Sequence, residues 1–179
     1  MKKIVVNDTN VFIDLLNIGL LEEFFSLPWE VHTTNFVMYE LLREGQQEAV
    51  SAYKDQGRLH IPVLESRDLA EIAGLFQQHM NRTNLSLTDC SVWYYAKLNN
   101  YVLLTGDRKL RTASVYEGVE VHGIIYVFDS LVEFGIITCE VAIEKLKQLY
   151  SSNSRLPQDE LDKRLKLWEA SKEEEGGNQ

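Results

Sequence analysis

The chain has 179 residues, 45% of them hydrophobic and 25% charged, the balance of one soluble globular domain. A domain of that size buries roughly 70% of its unfolded surface, so neither a disulfide nor a metal is needed to fold it. Its net charge of −9 excludes a protein that holds nucleic acid by bulk positive field, because phosphate neutralisation needs clustered Lys and Arg. It does not exclude an enzyme whose acids gather around metal ions, which supply positive charge locally.

The first strand is expected at Ile4–Asn7, a continuous apolar run of the kind covered on both faces. It runs straight into Asp8, which either caps a helix or belongs to a site assembled from distant parts of the chain. Helices follow over Val11–Ile18 and Gly19–Ser26, then a strand over Glu30–Thr33. Thr33-Thr34 reads as the cap of a helix over Asn35–Glu44, and Gln46–Gln56 as a helix stopped by Gly57. The apolar residues Leu69, Ile72, Ala73, Leu75 and Phe76 form a helical stripe within Arg67–Asn81.

Further on, helices over Thr88–Leu98 and Arg108–Tyr116 flank a strand over Tyr101–Thr105, and a short strand is expected at Val119–Val121. A helix over Ile124–Phe134 stops at Gly135, and another over Thr138–Tyr150 starts behind a Thr cap. At Ser151 the composition shifts to a polar linker, Ser-Ser-Asn-Ser-Arg-Leu-Pro. A helix over Gln158–Ser171 and a frayed acidic end, Lys-Glu-Glu-Glu-Gly-Gly-Asn-Gln, complete the chain. Residues 1–150 therefore read as one domain and 151–179 as linker, accessory helix and tail. The alternation of strands and helices predicts an α/β fold.

Cys90 and Cys139 form no CxxC pair and read as reduced apolar residues. The histidines His32, His60, His79 and His122 show no ligand spacing and read as structural or exposed. No apolar run has the ~20 residues of a membrane span, and the start Met-Lys-Lys-Ile-Val-Val is too short for a signal peptide. The expected location is the cytoplasm.

Four acids stand out. Asp8 and Asp107 each close a predicted strand, and in open parallel sheets ligands bind at the carboxyl ends of strands. Asp107, after Gly106, also suits a plain turn. Glu40 follows Val37 and Phe36 at helical spacing, which puts it on an apolar face or at that face's edge. Asp89 has Val92, Trp93 and Ala96 at i+3, i+4 and i+7, so it tops an inward stripe. With Ser86 it fits a capping box only loosely, since Asp is shorter than the usual Glu.

If the four converged to about 5 Å, each like-charge pair would repel by roughly 3 kcal/mol at an effective dielectric near 20. Six such pairs exceed the ~5–15 kcal/mol stability of a whole domain. Such a cluster must take up protons or hard divalent cations, and all-oxygen ligands suit Mg²⁺ or Mn²⁺ rather than zinc. Thr9, Asn10 and Thr105 are candidates to orient the carboxylates, or else local caps after a strand. Arg108, Lys109 and Arg111 form the densest basic stretch, either a solvated helix face or a grip on substrate phosphates, with Arg108 and Arg111 the candidates for that grip. Trp93 reads as core, with Tyr94 and Tyr95 pointing elsewhere, toward a dimer face.

Asp8-Thr9-Asn10 after an N-terminal strand, Glu40 in a helix, Leu-Ser-Leu-Thr-Asp ending at Asp89 and Leu-Leu-Thr-Gly-Asp ending at Asp107 resemble the PIN-domain nucleases, VapC-like toxins among them. Gly118-Val119-Glu120-Val121-His122-Gly123, with Asp129-Ser130-Leu131-Val132-Glu133 after it, resembles a prokaryotic PIN-like subgroup described mainly as nucleic-acid-binding. The resemblance spans about Met1 to Tyr150. It implies a three-layer α/β/α sandwich with a mostly parallel central sheet and the four acids at one rim. It also implies Mg²⁺- or Mn²⁺-dependent cleavage of RNA by an endoribonuclease, an antitoxin partner for members that are toxins, and homodimers in many. The stretch from Gln46 to Ile61 and the tail from Ser151 exceed the smallest toxin plan.

Two rival readings stand beside it. A metal-dependent phosphatase or phosphotransferase also places a strand-end Asp on Mg²⁺, although the haloacid-dehalogenase type needs a second Asp where this chain has Asn10. A non-catalytic module would bind RNA or a protein partner with its acids vestigial.

Overall fold

The computed structural model describes residues 2–80, 82–152 and 156–176. The elements run β1 (Lys3–Asn7), α1 (Thr9–Ile18), α2 (Leu21–Ser26), β2 (Trp29–His32), α3 (Asn35–Glu40), α4 (Gln46–Asp55), β3 (Leu59–His60) and α5 (Ser66–His79). They continue through α6 (Leu87–Asn99), β4 (Val102–Leu104), α7 (Arg108–Tyr116), β5 (Val121–His122), α8 (Ile124–Glu133), α9 (Cys139–Ser152) and α10 (Gln158–Gly176).

The five strands form a single sheet in the order β3-β2-β1-β4-β5, and every pairing is parallel. Flanked by helices, it is the α/β/α sandwich, with a sheet that is wholly rather than mostly parallel. The chain leaves β1 toward β2 and β3 and later returns to β1's other side with β4. The strand order therefore reverses between β1 and β4, where parallel α/β sheets open a crevice for ligands.

Two compact units are present, Met1–Ile13 with Pro28–Gly123 and Asp14–Leu27 with Ile124–Gln179. In the first, Val5, Val6, Leu103 and Leu104 are buried along the two central strands. Helix α6 lies across β1 and β4 and buries Cys90, Val92, Trp93 and Ala96. Each fully buried Val or Leu side chain stabilises the fold by about 1.5–3 kcal/mol. In the second, α8, α9 and α10 bury Phe128, Leu131, Leu146, Leu149, Leu161 and Trp168, with the Phe128 and Trp168 ring centroids 6.2 Å apart. Arg164 Nε lies 2.8 Å from Asp129 Oδ1.

Several expectations need correction. Helix α3 ends at Glu40 rather than Glu44, because Leu41 leaves the helix at φ −77° and ψ 78° and Gly45 turns the chain at φ +78°. Thr34 stands at the cap position but makes no cap bond; its hydroxyl meets Ser91 Oγ at 2.8 Å instead. The edge strand β3 had no expected counterpart, and β5 starts two residues later and ends one residue later than expected. Helix α10 runs to Gly176 where fraying was expected from Lys172. The expected helix end at Asn81, the linker's Asn153–Arg155 and the last three residues of the tail lie outside the described residues. Cys90 and Cys139 are not joined in a disulfide, as read. Among the described residues no helix is long and apolar enough to cross a membrane.

Candidate active site

Asp8 follows β1 directly, with its amide donating to Leu104 O at 3.0 Å, so the strand ladder itself delivers it to the switch point. It is 1% exposed. One carboxylate oxygen, Oδ1, accepts from the Thr9 amide at 2.7 Å. The other, Oδ2, accepts from the Thr105 hydroxyl at 2.7 Å and, more weakly, from Asn10 Nδ2 at 3.4 Å.

These bonds connect the other acids. Thr9 gives its amide to Asp8 and its hydroxyl to Glu40 Oε2 at 2.8 Å, so one residue bridges two carboxylates. Thr105, fully buried beyond β4, donates its hydroxyl to Asp8 while that oxygen accepts from the Asp107 amide at 3.0 Å. The two threonines thus do more than cap locally. Glu40 itself is exposed at the end of α3 rather than set on a core-directed face, and its position comes from Thr9.

Asp89 and Asp107 are both caps and site acids. Asp89 forms a full capping box: Ser86 Oγ accepts from its amide at 3.0 Å and its Oδ2 accepts from the Ser86 amide at 2.7 Å. The fit is closer than the shorter Asp side chain led one to expect. Asp107 caps α7, its Oδ1 accepting from the Leu110 amide at 2.8 Å. Each of the three outer acids commits one oxygen in this way. Glu40 Oε1, Asp89 Oδ1 and Asp107 Oδ2 are left as acceptors.

The electrostatics join the four. Burial, first of all, pushes the Asp8 carboxyl up from 3.8 to about 7, with Asp89 and Glu40 adding to the rise and the Thr105 and Thr9 bonds opposing it. Burial likewise raises Asp89, helped by Asp107 and Glu40 and opposed by the Ser86 bonds. The charges acting most on these two acids are other members of the quartet. Among the described residues no three Asp, Glu, His or Cys side chains are drawn close enough to hold an ion by themselves. The existing bonds account for this: Asp89 and Asp107 each turn one oxygen to the start of their own helix, and Glu40 turns one to Thr9. The donor set still fits a hard cation: Mg²⁺ binds through one or two carboxylates and retains several waters, with substrate phosphate completing the shell.

A family model described as a PIN domain matches residues 4–170. The chain belongs to the PIN-domain family. Its parallel sheet flanked by helices is a PIN-like fold, and membership supports a nuclease. A structure from Pyrobaculum aerophilum, PAE2754, is similar at a TM-score of 0.50 and 16% identity, covering 76% of this chain and 100% of that one. VapBC2 from Rickettsia felis, bound to a DNA fragment from its promoter, is similar at 0.45 and 16%, covering 67% and 98%. FitAcB from Neisseria gonorrhoeae is similar at 0.41 and 17%, covering 65% and 95%. At such identities the likeness concerns fold alone. No curated protein matches the chain significantly.

The basic stretch divides. Arg108 and Lys109 are exposed. Arg111 is turned inward, giving Nη1 to Val121 O at 3.1 Å and Nη2 to Thr105 O at 3.3 Å. Trp93 is core at 1% exposed. The tyrosines are not the free face expected of them: Tyr94 donates to Asp68 Oδ1 at 2.7 Å, and Tyr95 is buried with its hydroxyl 2.9 Å from His32 Nδ1. The Thr34–Ser91 bond, which ties the start of α3 to α6, had no signal in the sequence beyond two small hydroxyl residues.

Proposed function

We propose that this PIN-domain protein is a Mg²⁺- or Mn²⁺-dependent endoribonuclease that hydrolyses RNA phosphodiester bonds, leaving a 5′-phosphate and a 3′-hydroxyl. The carrying observation is the way the acids are linked: Asp8, 1% exposed, shares Thr9 with Glu40 and Thr105 with the Asp107 amide. Asp8, Glu40, Asp89 and Asp107 would hold the ion. When bound, the ion supplies Lewis acidity, lowering the pKa of an attacking water and neutralising charge on the scissile phosphate.

The chain's own residues do the rest. Thr105 and Thr9 fix both oxygens of Asp8, so its lone pairs point one way before any ligand arrives, and little reorganisation is left for the reaction. The outer acids would offer one oxygen each to a ligand or to a water's proton, Asp89 and Asp107 held at helix starts and Glu40 by Thr9. Asn10 at 3.4 Å is a weaker orienting contact. Arg108, exposed one residue past Asp107, is placed to meet a substrate phosphate.

Within this reading the protein acts in the cytoplasm as the toxin of a toxin–antitoxin pair, neutralised by a protein partner and assembling as a homodimer. Family membership supports that extension. The core reading is tested by incubating the protein with an RNA panel in Mg²⁺, Mn²⁺ or EDTA. Cleavage in either metal, abolished by EDTA and by Asp8→Asn or Asp89→Asn, is expected. Both variants cleaving RNA and binding Mn²⁺ like wild type would remove these acids from the site. Turnover of a generic phosphatase substrate that survives Asp107→Asn but not Asp8→Asn would instead favour a phosphatase.

A further inference from the structure

We propose that Arg111 is a positioning residue of this site: its guanidinium clamps the ends of β4 and β5 and so sets Thr105, and Gly123 lacks a side chain in order to seat it. The inference rests on the reading of the four acids as a metal-dependent site. Its argument begins with Thr105, whose polar groups are all in use. The Thr105 amide donates to His122 O at 2.9 Å, its hydroxyl links Asp8 to the Asp107 amide, and its carbonyl accepts from Arg111 Nη2. Arg111 spans from there to Val121 O. A planar fork presents two nitrogens at fixed separation to two fixed carbonyls; a Lys ammonium, a single point on a flexible stem, does not reproduce that geometry. The guanidinium is partly buried, and burial lowers its pKa, a poor setting for a cation whose task is to meet solvent-borne phosphates.

Gly123 supplies the independent observation. Its φ is not in the left-handed region, so its backbone would accept any residue. What forbids a side chain is space: an added Cβ would stand 2.9 Å from Arg111 Nη2 and 3.6 Å from Thr105 O. The closer atom is the tip of a flexible chain. A Gly123→Ala protein should therefore fold and relieve the clash by moving the guanidinium, giving up the hydrogen bond while keeping the charge. That separates position from charge, which Arg111→Ala cannot do.

The experiment measures Mn²⁺ affinity, and the salt dependence of RNA binding, for wild type, Arg111→Ala, Arg111→Lys and Gly123→Ala. Outer residues that orient metal ligands typically change affinity by 10–100-fold. Acting at one further remove, Arg111→Ala and Gly123→Ala should each weaken Mn²⁺ binding about tenfold, with Arg111→Lys between them and wild type, and the salt slope unchanged. A phosphate contact gives a different result. Arg111→Ala would then reduce the slope by about one, while Gly123→Ala would match wild type. That pattern, or wild-type Mn²⁺ affinity in all three variants, overturns the clamp. Should wild type itself take up no Mn²⁺, the metal reading fails and amide exchange decides the clamp alone. Faster exchange at Thr105 and Asp107 in Gly123→Ala and Arg111→Lys supports it, and unchanged exchange sinks it.

Discussion

A carboxyl group with 1% of its surface exposed must hold either a proton or a cation, and Asp8 makes that choice close to neutral pH. Its pKa is about 7 folded against the ordinary aspartate value of 3.8, so between roughly pH 4 and 7 the folded state binds more protons than the unfolded one. Stability therefore falls as pH rises through that window, by up to about 4 kcal/mol at ~1.4 kcal/mol per pH unit. Asp8→Asn removes the titration. In EDTA the variant should resist urea better than wild type at pH 8, with the difference shrinking toward pH 4. Mn²⁺ at pH 8 should raise the midpoint of wild type but not of the variant. A wild type no less stable than Asp8→Asn at pH 8 would mean that Asp8 is not the buried carboxylate with a raised pKa described.

The helix starts show how much of the site is legible locally. Ser86 three residues before Asp89 announces a box, and Asp107 after a short apolar run announces a strand end. Both signals say where a helix begins, and the same residues belong to the proposed site, so a structural reading and a functional one coincide instead of competing. Ser86→Ala removes the oxygen that accepts from the Asp89 amide. It should cost about 1 kcal/mol, or ~2–4 °C in Tm for a chain of this length, and weaken Mn²⁺ binding, while Ser86→Thr retains both; no change in Tm would mean that the box does not hold α6. Less was legible where an element is too short for a pattern or where the signal is a vacancy. Two residues of β3, Leu59 and His60, cannot show alternation. Glu40 suggested an inward helix face because its neighbours are apolar, but α3 stops there and the residue that places it, Thr9, lies 31 positions away. Arg111 looked like its basic neighbours because nothing in a sequence reveals that a distant glycine has left it a seat.

At the scale of the whole chain, charge and apolar pattern give opposite impressions of the C-terminal region. Its acidic composition suggests a solvated appendage, yet α10 packs against α9 and buries Leu161 and Trp168, at 4% and 3% exposed. With the partly buried Leu165 between them, they stand at i, i+4 and i+7 on one helix face, an inward stripe set among many charged residues. Leu167, next to Trp168, is 53% exposed and serves as the internal control. Trp168→Ala should lower the stability of the unit formed by Asp14–Leu27 and Ile124–Gln179 by about 3–5 kcal/mol, the cost of emptying a large buried site. Leu167→Ala should change it by less than about 1 kcal/mol. Denaturant titration of both variants against wild type, followed by far-UV circular dichroism, measures the difference. Equal and small losses would show that α10 does not bury Trp168 and that this region is the loosely attached tail its charge suggests.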